Sequence, residues 1–166
     1  MSQPIGVAII GSGRSLKNTR WIRIARVNAK TDIYLAGIFV KEQHLPAVQA
    51  SSDLELKAIY SRSLTSAQSV SSSLSGIDLY SDDSKPLSEL LSRSDIHAVI
   101  IALPIPVQPA YIKQALTAGK HVLAEKPIAK DVAAARELIQ WYGSNIDKSK
   151  VFFGIAEQFR YFNSFK

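Results

Sequence analysis

At 166 residues, 46% apolar and 20% charged, the chain reads as one soluble globular domain of ordinary size, able to bury a substantial core. No apolar run approaches the ~20 residues that a bilayer crossing needs, and the opening MSQPIGVAII lacks the basic start and cleavage site of a secretory signal. The absence of cysteine excludes a disulfide framework, a thiolate metal site and a cysteine nucleophile, and it fits a reducing, cytoplasmic setting.

In chain order, Ile5–Ile10 is a short apolar run ending in glycine, suited to a strand covered on both faces. Leu54–Tyr60 is a second strand. The serine-rich stretch Ser63–Leu74 carries Leu64, Ala67, Val70 and Leu74 at helical spacing and is expected to be a helix. Leu79–Tyr80 marks a short strand, and Ser84-Lys85-Pro86 starts a helix through Leu91 with Ser84 as its expected N-cap. Ala98–Leu103 is a buried strand; after Pro104, Pro106 and Pro109 comes a helix to Ala118, closed by Gly119 at a natural C-cap position. His121–Ala124 is a strand, Lys130–Tyr142 a helix rich in good helix formers, and Val151–Ala156 the last strand. Strand and helix alternate throughout, which predicts an α/β fold: a Rossmann-like, mainly parallel sheet with helices on both faces.

The net charge of +6 raises the question of a nucleic-acid partner, so its location matters. Residues 14–36 hold Arg14, Lys17, Arg20, Arg23, Arg26 and Lys30 against a single acid, Asp32, a local +5 that leaves +1 for the rest. This stretch also interrupts a motif. A buried strand running into Gly11-Ser12-Gly13 is how a dinucleotide site begins, because the turn brings backbone amides and the next helix's N-terminus to a pyrophosphate. The third small residue of the usual pattern is missing, and by itself a Gly-x-Gly is weak evidence. With residues 14–36 removed, the join reads VAIIGSGGIFVKEQHLPAV, a strand, the turn, and then a helix through His44 with Pro46 near its start.

That joined segment resembles the opening of the Gfo/Idh/MocA family of NAD(P)-dependent oxidoreductases, with its strand, GxG and H-x-P. HVLAEKPIAKDVAAARELI at 121–139 is similar to the family's Glu-Lys-Pro motif after the fifth strand, and GIAEQFRYF at 154–162 to its crossing into a second domain. The resemblance implies an NAD(P)-binding domain over residues 1–156, with 157–166 starting a C-terminal substrate domain that the chain does not continue into. It implies hydride transfer with a sugar-like small molecule, and no nucleic-acid or membrane partner is expected. A non-catalytic NAD(P)-binding module is the alternative.

The implied cofactor contacts are Gly11, Gly13, Ile38, Phe39, Ser61, Arg62, Leu103, Pro104, Gln108, Glu125, Lys126 and Pro127. Lys126 is also the candidate catalytic residue: an ammonium near the nicotinamide can hydrogen-bond the reacting oxygen and stabilise its charge. The plainer alternative is a surface lysine ending a strand. Pro127 sits where the family often has a cis bond, and Glu125 either orients the ribose or the lysine or is a solvated acid. The second strand ends Tyr60-Ser61-Arg62-Ser63 with no acid, so Arg62 and Ser61 favour the 2′-phosphate of NADP, with NAD as the second choice. Where the family often shows Pro-Asn and then His, this chain has Pro104, Ile105 and Gln108. Gln keeps a polar contact but transfers no proton. His44 either touches the nucleotide or packs locally; His97 and His121 read as structural, and no metal is expected. Arg160 and Tyr161 either reach the active-site cleft or pack at the domain junction.

Residues 14–36 admit three readings: a basic helix for an anionic partner, a neutral looped insertion, or non-coding sequence such as an unspliced short intron. The third is favoured, because excision closes the motif and the charge of the stretch is unlike the remainder.

Overall fold

A computed structural model describes residues 3–11 and 39–163. Residues 14–36, Gly13 and Ile38 lie outside them. The elements in order are β1 (Ile5–Ile10), a π-helical turn (Val40–His44) leading into α1 (Leu45–Ala50), β2 (Leu54–Ser61), α2 (Leu64–Ser71), β3 (Asp78–Ser81), α3 (Leu87–Ser92), β4 (Ala98–Ile101), α4 (Gln108–Thr117), β5 (His121–Glu125), α5 (Val132–Asn145), β6 (Phe153–Ala156) and a 3-10 turn (Gln158–Tyr161). The six strands form one sheet of order β3-β2-β1-β4-β5-β6, and every pairing is parallel. This is the expected Rossmann-like architecture, with β1 central and the order reversing between β1 and β4.

The helices divide between the two faces. Val40, Leu45 and Val48, with Ala67 and Val70 of α2, cover Val7 and Ile9 of β1. On the other face α3, α4 and α5 bring Leu90, Ile112, Leu116 and Leu138 onto Ala8 and Ile10. β1 is therefore apolar at successive positions because both of its sides are interior. β2 manages the same two-sided burial with a bulge: Val7 pairs with Leu56 and Ala8 with Ala58, so Lys57 is the extra residue. The bulge flips the alternation, sending Leu56 to one core and Ala58 and Tyr60 to the other.

Several boundaries move for identifiable reasons. Ser84 does not cap α3; Pro86 occupies that position without a side-chain bond, and Ser84 Oγ instead pairs with Ser81 Oγ at 3.0 Å. α5 starts later than expected because Asp131 is its N-cap, accepting from Ala134 N at 2.8 Å. β4 stops at Ile101, although Ala102 N still donates to Ile10 O at 3.0 Å before the chain turns away. Gly119 does close α4, at φ +75°, with Gly119 N donating to Leu116 O and Lys120 N to Ala115 O, both at 3.0 Å. These are the two bonds of a Schellman cap. Lys120 then turns inward, 8% exposed, and donates to the carbonyls of Arg93 at 2.6 Å and Ile96 at 2.8 Å. Burial holds its ammonium below the ordinary lysine range.

Two glycines are held by different constraints, and their alanine variants separate them. Gly119 has open space around its missing side chain, so only its positive φ opposes a Cβ. Gly119→Ala is expected to cost about 1–2 kcal/mol in denaturant unfolding. At Gly11, φ is +121° and a Cβ would stand 2.0 Å from Ala102 O, so conformation and space both forbid it. Gly11→Ala is expected to cost about 3 kcal/mol or more by the same measurement. Equal costs at the two positions would contradict the assignment.

Candidate functional site

The register places the ends of β1, β4, β5 and β6 in one row. Ile10 pairs with Ile101, Ile101 with Ala124, and Glu125 with Ala156. One residue further, Gly11 packs against Ala102 O, and its amide donates to Tyr60 O at 2.9 Å. This carboxyl-terminal edge, at the point where the strand order reverses, is where open α/β sheets hold ligands. The space a Cβ would fill at Gly11 is taken by Ala102 O, so the missing side chain lets the ends of β1 and β4 close into a backbone-lined edge, and in that respect the residues present fit a dinucleotide cofactor.

At β4 the chain leaves the sheet through Leu103 and Pro104. Pro104 O accepts Val107 N at 3.1 Å and Gln108 N at 3.2 Å, which starts α4. Gln108 is 1% exposed. Its Nε2 donates to Glu125 O at 2.7 Å and to Pro127 O at 3.0 Å, and its Oε1 accepts Leu103 N at 3.3 Å. The sequence suggested a cofactor contact at this position; the structure places the side chain beneath the loops with its amide engaged by main chain.

At the end of β5, Glu125 Oε2 accepts Lys126 N at 3.2 Å and Oε1 lies 2.9 Å from His44 Nε2. Both side chains are largely buried, at 11% exposure for His44 and 16% for Glu125. Despite this approach, His44 Nε2 makes no hydrogen bond of good geometry. Phe39 stands edge-on to the same imidazole, with ring centroids 5.5 Å apart. Lys126 is exposed, its Nζ 5.6 Å from the centroid of the Phe159 ring, and the Lys126–Pro127 bond is cis. Arg160 and Tyr161 share the 3-10 turn with Phe159, and both are exposed.

The second-strand end is split. Ser61 is 2% exposed and closed into the fold, whereas Arg62 is exposed and Ser63 caps α2, accepting from Ser66 N at 3.3 Å. Asp83, from the end of β3, accepts Leu64 N at 2.8 Å in the first turn of that helix. Its bond from Ser81, then that from Leu64 N, hold its carboxyl below the usual carboxylate range. Beneath Gly11, the Tyr60 hydroxyl donates to Asp82 beside Tyr111. Burial first, and these bonds second, push the phenol well above its ordinary value.

The structure thus brings together Gly11, Leu103, Pro104, Glu125, Lys126 and Pro127, with Phe39 reaching them through His44, and leaves Arg62 at the β2 end. The His44–Glu125 contact and the Gln108 clamp were not foreseen from sequence. A polar residue in the first turn after a proline-rich run was the available signal for Gln108. Among the described residues no group of three His, Asp or Glu side chains is placed to hold a metal. None of their helices is long and apolar enough to cross a membrane.

The profile of the Gfo/Idh/MocA oxidoreductase family, NAD-binding Rossmann fold, matches residues 5–148. The dehydrogenase FPY6 of Fusarium mangiferae is 47% identical over 136 residues, covering 79% of this chain and 38% of its own length. A dTDP-3,4-didehydro-2,6-dideoxy-alpha-D-glucose 3-reductase of Streptomyces violaceoruber is 37% identical over 95 residues, covering 57% of this chain and 26% of its own. The crystal structure of KijD10, a 3-ketoreductase from Actinomadura kijaniata in complex with NADP and TDP-benzene, superimposes with a TM-score of 0.60 at 29% identity, over 83% of this chain and 34% of that one. The chain therefore spans well under half the length of these relatives. A β1 strand followed at once by Gly11, a six-stranded parallel sheet reversing beside it, and a matched profile over most of the chain lead to one conclusion: the chain belongs to the Gfo/Idh/MocA family of oxidoreductases, in its NAD-binding Rossmann part.

Proposed function

We propose that the chain binds NADP(H) across the carboxyl-terminal ends of β1, β2, β4 and β5, and that the whole protein uses it to move a hydride to or from a carbonyl or hydroxyl carbon of a sugar-like substrate. The observation that carries this is the alignment of Gly11, Leu103–Pro104 and Glu125–Pro127 on one edge, with the exposed Lys126 standing at it. The relatives whose names specify a sugar-nucleotide reductase, and the NADP held by KijD10, support the same choice of cofactor and substrate class.

The bound nicotinamide supplies or takes the hydride. The rest falls to this chain's residues. Gly11 lets the ends of β1 and β4 close into a backbone edge against which the pyrophosphate lies. Lys126 hydrogen-bonds the reacting oxygen and stabilises the negative charge that gathers there, a role suited to a flexible ammonium whose donors can rotate to the oxygen. Glu125 keeps its carboxylate turned to His44 and the Lys126 amide, which leaves the ammonium free for the substrate. Arg62 pairs with the 2′-phosphate, since β2 ends in no acid that would prefer a ribose hydroxyl.

Residues 14–36 separate the Gly-x-Gly turn from its helix, and in this reading they do not belong to the working protein. A chain with 14–36 deleted is expected to bind NADPH more tightly than the full chain in a fluorescence titration; equal or weaker binding contradicts that. In the tighter-binding form, Arg62→Ala is expected to raise the Kd for NADPH roughly tenfold or more while NADH is unaffected, as loss of a charge-assisted phosphate contact requires. Equal weakening of both nucleotides would remove Arg62 from the 2′-phosphate and the NADP preference with it.

A further inference from the structure

A buried primary amide has two N–H donors and an acceptor oxygen to satisfy, and leaving any of them unpaired is costly. Gln108 satisfies all of them with main chain alone. Its two donors reach Glu125 O at 2.7 Å and Pro127 O at 3.0 Å, the carbonyls one residue before and one residue after Lys126. Its oxygen takes Leu103 N at 3.3 Å, from the loop that leaves β4. The side chain is 1% exposed, so these bonds face little competition from water.

We infer that Gln108 is a positioning residue for Lys126: one amide pins the main chain on both sides of the lysine and ties it to the β4 loop. The inference rests on the reading of Lys126 as the group that serves the reacting oxygen. Lys126 itself has a long, exposed side chain, and the accuracy of its ammonium depends on how firmly its root is held. Glu125 contributes from the other direction, taking Lys126 N on one carboxylate oxygen and His44 on the other. The carboxamide is suited to this task by its chemistry. A leucine makes none of the bonds. A glutamate sets its lone pairs against two carbonyls. An imidazole has two nitrogens for three partners.

The test uses two readouts on the full chain. Competitive acylation followed by peptide mass spectrometry measures the reactivity of the Lys126 amine without any cofactor, with Lys130 and Lys113 as internal references. Fluorescence titration measures NADPH binding. Gln108→Leu is expected to change Lys126 labelling selectively. It is also expected to weaken NADPH binding about tenfold, and the double variant with Lys126→Ala should bind no more weakly than Lys126→Ala alone, because both act through one group. Gln108→Asn keeps the amide but is one methylene shorter; it is expected to fall between wild type and Gln108→Leu, and it serves in place of the leucine variant if that one does not fold. Unchanged Lys126 labelling in a folded variant, or losses that add in the double variant, overturn the inference. If labelling shifts but Lys126→Ala leaves NADPH binding untouched, the positioning stands and Lys126 is no contact of the cofactor.

Discussion

The approach of Gly11 to Ala102 O is the constraint on which the described site depends. β1 runs between β2 and β4 with helices on both faces, so its exit has no free side to turn toward. A Cβ at Gly11 would be 2.0 Å from the neighbouring carbonyl, and the backbone sits at a φ that L side chains rarely adopt. What closes off a side chain there also brings the ends of β1 and β4 together, and β5 follows through its register with β4. The edge that results is made of backbone and small residues, the kind of surface a pyrophosphate can approach.

Around that edge the polar groups are paired in a way that leaves the Lys126 ammonium outward. Gln108 spends its amide on main chain, each bond contributing about 1 kcal/mol net. Glu125 spends its carboxylate on His44 and on a backbone amide. Lys126 has an aromatic ring below its ammonium, a contact worth only about 0.5–1 kcal/mol at an exposed site, so moving it to a ligand costs little. At the opposite edge of the sheet, where Lys120 reaches the carbonyls of Arg93 and Ile96, the logic is reversed: there the lysine is buried and structural. The same residue type has two fates, decided by what each faces.

The division between what could be read from the residues and what could not follows this pattern. Periodicity exposed β1, β4 and the helices because burial repeats along the chain, and Gly119 was legible because a helix end has a fixed demand for positive φ. Glu125-Lys126-Pro127 was legible through resemblance to a family. Gln108 was read as a cofactor contact; its bonds to Glu125 and Pro127 span 17 and 19 residues and leave no periodic trace. The burial of Lys120 leaves no mark in the sequence, because lysine is usually exposed. Ser84 had the right spacing for a cap, but Ser81 provides its partner and Pro86 takes the position. The bulge at Lys57 broke an alternation that a strict period of two cannot represent.

The central claim is that the carboxyl-terminal edge of β1, β4 and β5 takes a nicotinamide dinucleotide. The most direct measurement is the amide spectrum of the 15N-labelled chain recorded while NADPH is added. Shifts concentrated at Gly11, Leu103, Gln108, Glu125 and Lys126, saturating together, are the expected result. Shifts confined to the other end of the strands, around Gly6, Asp95 and His97, or no saturable shifts at all, would contradict it.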